Sequence, residues 1–174
     1  MTVKDLLTTY WSQVTLILLA IGYLLKRLLD IKSKKTEINH SLFQQNRIIA
    51  VKSYFSIYAK TELMWQQLSI YEILEHKLPA KEIDKIIFPS LNALQEITLE
   101  LKLYFEEDYQ KYFEQLTFGI KSINGKLLGL YSSLNLEKNT TEKVNDYDSF
   151  KENIFIKNKD LMDELCLKIK DLYK

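Results

Sequence analysis

A single cysteine, Cys166, in 174 residues excludes an internal disulfide framework and fits a reducing compartment. Proline occurs twice, at Pro79 and Pro89, and glycine four times, so little in this chain punctuates strands or tight turns. No alternating apolar and polar runs bounded by glycine appear, which excludes a sheet-based fold. Histidine is confined to His40 and His76, with no cysteine near either, so no zinc-ligand spacing exists. There is no phosphate-binding glycine loop, no dinucleotide fingerprint and no Gly-x-Ser-x-Gly elbow. With a net charge of +1, the chain as a whole presents no field that would gather nucleic acid. No catalytic, cofactor-binding or metal-binding residue is assigned from these absences.

What is present is apolar length. Leu6 to Leu25 are twenty consecutive residues without a charge, ending at Lys26-Arg27. At ~1.5 Å per helical residue such a run approaches the roughly 30 Å of a hydrocarbon core. Tyr10 and Trp11 near one end, and Tyr23 near the other, suit interfacial aromatic belts. A cleavable signal peptide and a buried core helix are the alternatives. The first lacks a basic start and a small-residue cleavage site, and the second is rarely charge-free for so long. The expectation is a retained transmembrane anchor over residues 1–27 and a cytoplasmic domain over residues 28–174. Lys26, Arg27, Lys32, Lys34 and Lys35 follow the run, against Lys4 before it. This puts the N-terminus outside and the C-terminal domain in the cytoplasm.

Charge is unevenly spread. Residues 26–52 hold seven basic and two acidic residues, whereas residues 72–108 hold nine acidic and four basic. The basic block, beside the anchor, suits anionic lipid headgroups at about 1 kcal/mol per cation. It lacks the interleaved aromatics of a nucleic-acid surface, and direct RNA binding is left open.

Within the domain the spacing predicts helix almost throughout. No glycine or proline lies between Gly22 and Pro79, so the first helix is expected to run on unbroken from the anchor. Its apolar stripe is Ile48, Val51, Phe55, Tyr58, Trp65, Leu68, Tyr71, Leu74 and Leu78. Pro79 opens a second helix with Ile83, Ile87, Leu91, Leu94, Ile97, Leu101 and Phe105 on one face, kinked or restarted at Pro89. Glu106-Glu107-Asp108 starts a third, carried by Tyr109, Tyr112, Phe113, Leu116, Ile120, Ile123, Leu127 and Leu130. In that helix Gly119, Gly125 and Gly129 either weaken it or admit a close neighbour. Residues 135–146 read as a loop, and a last amphipathic helix spans about 147–173. The fold class is all-α: an N-terminal transmembrane helix continuing into a four- or five-helix bundle.

Within the anchor, Thr8, Ser12, Thr15 and Gly22 fall on one helical face, with Gln13 beside it. A small, weakly polar stripe in hydrocarbon is where helices pack or hydrogen-bond. It suits a homo-oligomer, or a ring of six or more copies whose polar faces line water. The alternative is a lone anchor whose hydroxyls bond back to their own helix. Lys26, Arg27, Lys34 and Lys35 would then sit at the cytoplasmic mouth.

The segment from Trp11 to Lys35 (WSQVTLILLAIGYLLKRLLDIKSKK) and the aromatic helix from Phe43 to Leu68 give the chain a resemblance to a known family. It resembles the small membrane accessory proteins of type VI-B CRISPR–Cas systems. That resemblance implies a divergent HEPN-like bundle, oligomerisation into a pore of the bacterial inner membrane, and depolarisation or permeabilisation in antiviral defence. It also implies a functional link to an RNA-guided RNA-cleaving effector. Active HEPN ribonucleases carry an arginine followed four to six residues later by a histidine. Here Arg27 and Arg47 are the only arginines and neither has such a histidine. Asn153 with Lys157 or Asn158 would be a decayed remnant, which implies a domain that is not an enzyme. A membrane-tethered ribonuclease, or a tethered helical scaffold that recruits a partner through residues 72–108, are the other readings.

Overall fold

The computed structural model describes residues 2–75, 78–133 and 140–172. Among them are five helices and no strand: α1 (Val3–Gln67), α2 (Ile70–Glu75), α3 (Ala80–Leu101), α4 (Glu107–Ser133) and α5 (Thr140–Leu172). The all-α expectation holds. The chain falls into two units, Met1–Asn46 and Arg47–Lys174.

The second unit is a helical bundle with one apolar core. α4 packs against both α3 and α5, and α2 against α5. The α3 stripe predicted from spacing is enclosed at every position from Ile83 to Leu101, and Phe105 after it is enclosed as well. In α4, Phe113, Leu116, Ile120, Ile123, Leu127 and Leu130 are buried as expected. Burying each such side chain contributes about 1.5–3 kcal/mol relative to exposure.

Three expectations need correction. First, α1 does run on unbroken past Lys26-Arg27 as expected, but it ends at Gln67 and helix resumes only at Ile70, short of Pro79. The helix is interrupted at Leu68-Ser69, and beyond it Ile70 and Ile73 are buried. Second, Pro89 neither ends nor restarts α3. It lies on the exposed face, where water can satisfy the carbonyl that its missing N–H leaves unbonded. Third, residues 140–146 belong to α5 rather than to a loop, because Val144 and Tyr147 pack into the core there. Positions 135–139 of the expected loop lie outside the described residues.

The buried face of α1 keeps Val51, Tyr58 and Trp65 of the predicted stripe and adds Ala50, Tyr54 and Thr61, while Ile48 in α1 and Tyr71 in α2 are exposed. Thr61 is tolerated inside because its hydroxyl donates to the Ile57 carbonyl at 2.8 Å. Between α3 and α4 the chain tightens through a bond from the Phe105 N–H to the Leu101 carbonyl. Gln110 then donates its side-chain amide to the Phe105 carbonyl at 2.5 Å. Glu107 and Asp108 occupy the first turn of α4, as their charge predicts.

Candidate functional site

In the first unit, the candidate residues sit on α1, and those whose side chains are described are exposed. Thr8 donates to the Lys4 carbonyl at 3.0 Å and Thr9 to that of Asp5 at 2.8 Å. Thr15 donates to the Trp11 carbonyl at 2.9 Å. These hydroxyls are satisfied within their own helix, as the lone-anchor alternative requires. Gln13 is exposed, and a Cβ on Gly22 would meet nothing within 4 Å. The side chain of Ser12 lies outside the described residues. Lys26, Arg27, Lys34 and Lys35 are all exposed.

The apolar side chains around them are exposed too. Leu16, Ile17, Leu18, Leu19, Leu24, Leu25, Leu28 and Leu29 each keep more than half of their surface accessible. Among the described residues, no helix is long and apolar enough to cross a membrane. Thr8 to Gln13 dilute the hydropathy of the run, and the strongly apolar part, Val14 to Leu25, is only twelve residues. That is about 18 Å of helix against a hydrocarbon core of roughly 30 Å. The expected span over Leu6–Leu25 therefore finds no support in the structure.

In the second unit, polar groups thread the core where α1, α3, α4 and α5 meet. The Tyr54 hydroxyl donates to the Phe113 carbonyl at 3.2 Å and lies 3.3 Å from the Thr117 hydroxyl. Thr117 is 2.8 Å from the Thr98 hydroxyl, and Thr98 donates to the Leu94 carbonyl at 2.6 Å. Asn158, 2% exposed, donates its amide to the Tyr58 hydroxyl at 2.9 Å and to the Leu116 carbonyl at 3.1 Å. Burial drives the Tyr54 phenol far above its ordinary value and pushes Tyr58 up to about 12. Both phenols stay protonated, so this seam fixes helix register and offers no proton for chemistry near neutrality.

The three residues considered as a decayed ribonuclease motif are therefore not brought together as a group. Asn158 is a core tie between α5, α4 and α1, whereas Asn153 and Lys157 are exposed on α5. Lys157 borders a cavity of about 220 Å³ beside Gly119 and Ser122. Among the described residues, no three His, Cys, Asp or Glu side chains gather as metal ligands. His40 is exposed, His76 lies outside the described residues, and Cys166 is a half-buried free thiol.

A larger concavity escaped the sequence reading. The second half of α1 and the middle of α5 form a groove of about 410 Å³. Its walls are Phe55, Tyr58, Phe155 and Met162, and Glu62, Lys159 and Asp163 supply the charges. The spacing was visible: Phe55, Tyr58 and Glu62 share one face of α1, and Phe155, Lys159 and Met162 share one face of α5. Only the pairing of those faces was hidden.

Partial burial in this groove raises the Glu62 carboxyl above its ordinary 4.5. The folded chain thus holds the Glu62 proton more tightly than the unfolded chain. The stabilisation this gives is complete below 4.5 and is lost as pH rises through the raised value. At neutral pH the ionised group is a net cost. Glu62→Gln is expected to raise the melting temperature at pH 7, with the gain over the parent shrinking as the pH falls toward 4.5. Melting curves of both proteins across that interval check it, and a pH-independent difference would contradict the assignment.

The chain matches no family model, no curated protein and no solved structure.

Proposed function

We propose that this chain is a membrane-engaged helical protein that acts as a homo-oligomer. Its N-terminal helices would assemble in lipid and permeabilise the bilayer. The observation that carries the reading is the exposure of Leu16 to Leu19, Leu24, Leu25, Leu28 and Leu29 around a helix that offers them no cover. Left in water, each forgoes about 1.5–3 kcal/mol of burial. Lipid and neighbouring copies can both supply that burial. A helix strongly apolar over only about 18 Å makes a poor lone span, and short segments relieve such mismatch by thinning the bilayer or by oligomerising.

In that assembly Thr8, Ser12, Gln13, Thr15 and Gly22 would face one another, and Lys26, Arg27, Lys34 and Lys35 would keep the following segment on the cytoplasmic side. Gln13 matters most, because its amide has the greatest cost facing lipid. The resemblance to type VI-B CRISPR–Cas accessory proteins gives this activity a setting. There the assembly would depolarise the inner membrane in antiviral defence, beside an RNA-guided RNA-cleaving effector. A tethered ribonuclease is the weaker reading, since Asn158 is consumed by core hydrogen bonds.

The test is the absolute mass of the full chain in mild detergent, together with dye release from vesicles. A discrete species of six or more copies, and release that Gln13→Leu abolishes without changing expression, are expected. A monomer or dimer, or unchanged release by the variant, overturns the permeabilising assembly.

A further inference from the structure

The groove between the second half of α1 and α5 has the size of a small-molecule site, which typically runs from about 300 to 1,000 Å³. Its walls combine three aromatic rings, Phe55, Tyr58 and Phe155, with the soft thioether of Met162. Aromatic faces are electron-rich and attract cations. The charged groups have the same preference: Glu62 and Asp163 outnumber Lys159 in the groove. The groove therefore repels anions at its charged edge and attracts apolar matter along its walls.

We propose that this groove binds a hydrophobic organic cation, an amine or quaternary ammonium carrying an apolar body. The apolar body would lie over Phe55, Phe155 and Met162, and the cationic head would sit against Glu62 and Asp163. Glu62 is half-buried and incompletely solvated. A ligand cation there replaces hydration that the carboxylate has already lost, so the attraction outweighs that of an ordinary surface pair. Both amide N–H groups of Asn158 are committed, to the Tyr58 hydroxyl and to the Leu116 carbonyl, so Asn158 offers no donor to an anion.

The experiment is calorimetric titration of the full chain with three probes that share a phenylalkyl body: 4-phenylbutylamine, 4-phenylbutanol and 5-phenylvalerate. The amine is expected to bind about tenfold tighter than the alcohol, as a combined ion-pair and cation–π contribution of this kind gives. The carboxylate is expected to bind weakest. Glu62→Gln should remove about tenfold of the amine's affinity, leave the alcohol unchanged and still raise the melting temperature at pH 7. That combination separates loss of a ligand contact from loss of structure. Ala59→Phe, at an exposed position on the groove wall, should block all three probes without unfolding the bundle. Equal affinities for the three probes, no saturable heat with the amine, or undiminished amine affinity in Glu62→Gln would each overturn the proposal.

Discussion

Replacing Gly119 with alanine is expected to destabilise the bundle by about 2 kcal/mol, although alanine is the better helix former by roughly 1 kcal/mol. The reason lies across the helix interface. A Cβ built on Gly119 would lie 2.6 Å from the Oδ1 of Asn158, 2.8 Å from its Nδ2 and 3.1 Å from its Cγ. Real Cβ atoms do not approach so closely, so Asn158 must move. It is not a flexible surface group: it is 2% exposed and held by bonds of 2.9 and 3.1 Å. Overpacking of this kind costs typically about 1–3 kcal/mol, and each displaced hydrogen bond about 1 kcal/mol more.

A double-mutant cycle isolates the contact. Asn158→Ala alone is expected to cost about 1–3 kcal/mol by leaving the Leu116 carbonyl and the Tyr58 hydroxyl without their donor. In the pair, the new methyl occupies space the amide has vacated. The combined loss should fall short of the sum by about 1–2 kcal/mol. Urea denaturation of the four proteins measures this, and strict additivity would mean that Gly119 and Asn158 are not coupled. Gly125 and Gly129 serve as controls, since a Cβ at either meets nothing within 4 Å. Alanine there should stabilise α4.

The sequence made parts of this bundle readable and hid others for identifiable reasons. The buried stripes of α3 and α4 are carried by isoleucine, leucine and phenylalanine, so their period announces the face. In α1 the stripe reaches Val51, Tyr58 and Trp65 but passes over Ala50, Tyr54 and Thr61, which hydropathy scores poorly although each is buried. Tyr54 becomes a core residue because Phe113 and Thr117 answer its hydroxyl, and no single-helix pattern contains those partners. The start of α5 was hidden because Val144 is the only aliphatic residue between Leu136 and Phe150. The interruption after Gln67 carries no glycine or proline at all. Among three glycines in α4, only the fold reveals that Gly119 is the one under pressure. The groove was missed because Glu62 and Asp163 resemble ordinary surface carboxylates until α1 and α5 are laid side by side.

The N-terminal run makes the opposite kind of prediction, in which a large effect leaves the bundle untouched. Leu18 and Ile21 are 62% and 48% exposed, and three residues apart they share a helix face. Changing both to aspartate is expected to abolish stable membrane association. Each aspartate near the centre of a bilayer-inserted helix costs about 2.5–3.5 kcal/mol, and each lost aliphatic side chain adds to that. Together they exceed roughly 5 kcal/mol, or more than a thousandfold in partitioning. Flotation of the full chain with vesicles reads the effect directly: the parent should rise with lipid and the variant should stay at the bottom. Melting of the core, followed through the buried Trp65, should be unchanged, because neither side chain belongs to that core. A variant that still floats would show that the exposed apolar run is not what holds the chain to lipid. A variant that stays down with a lowered melting temperature would place these residues in a protein interface instead. Only loss of flotation with intact melting supports lipid as the cover for this helix.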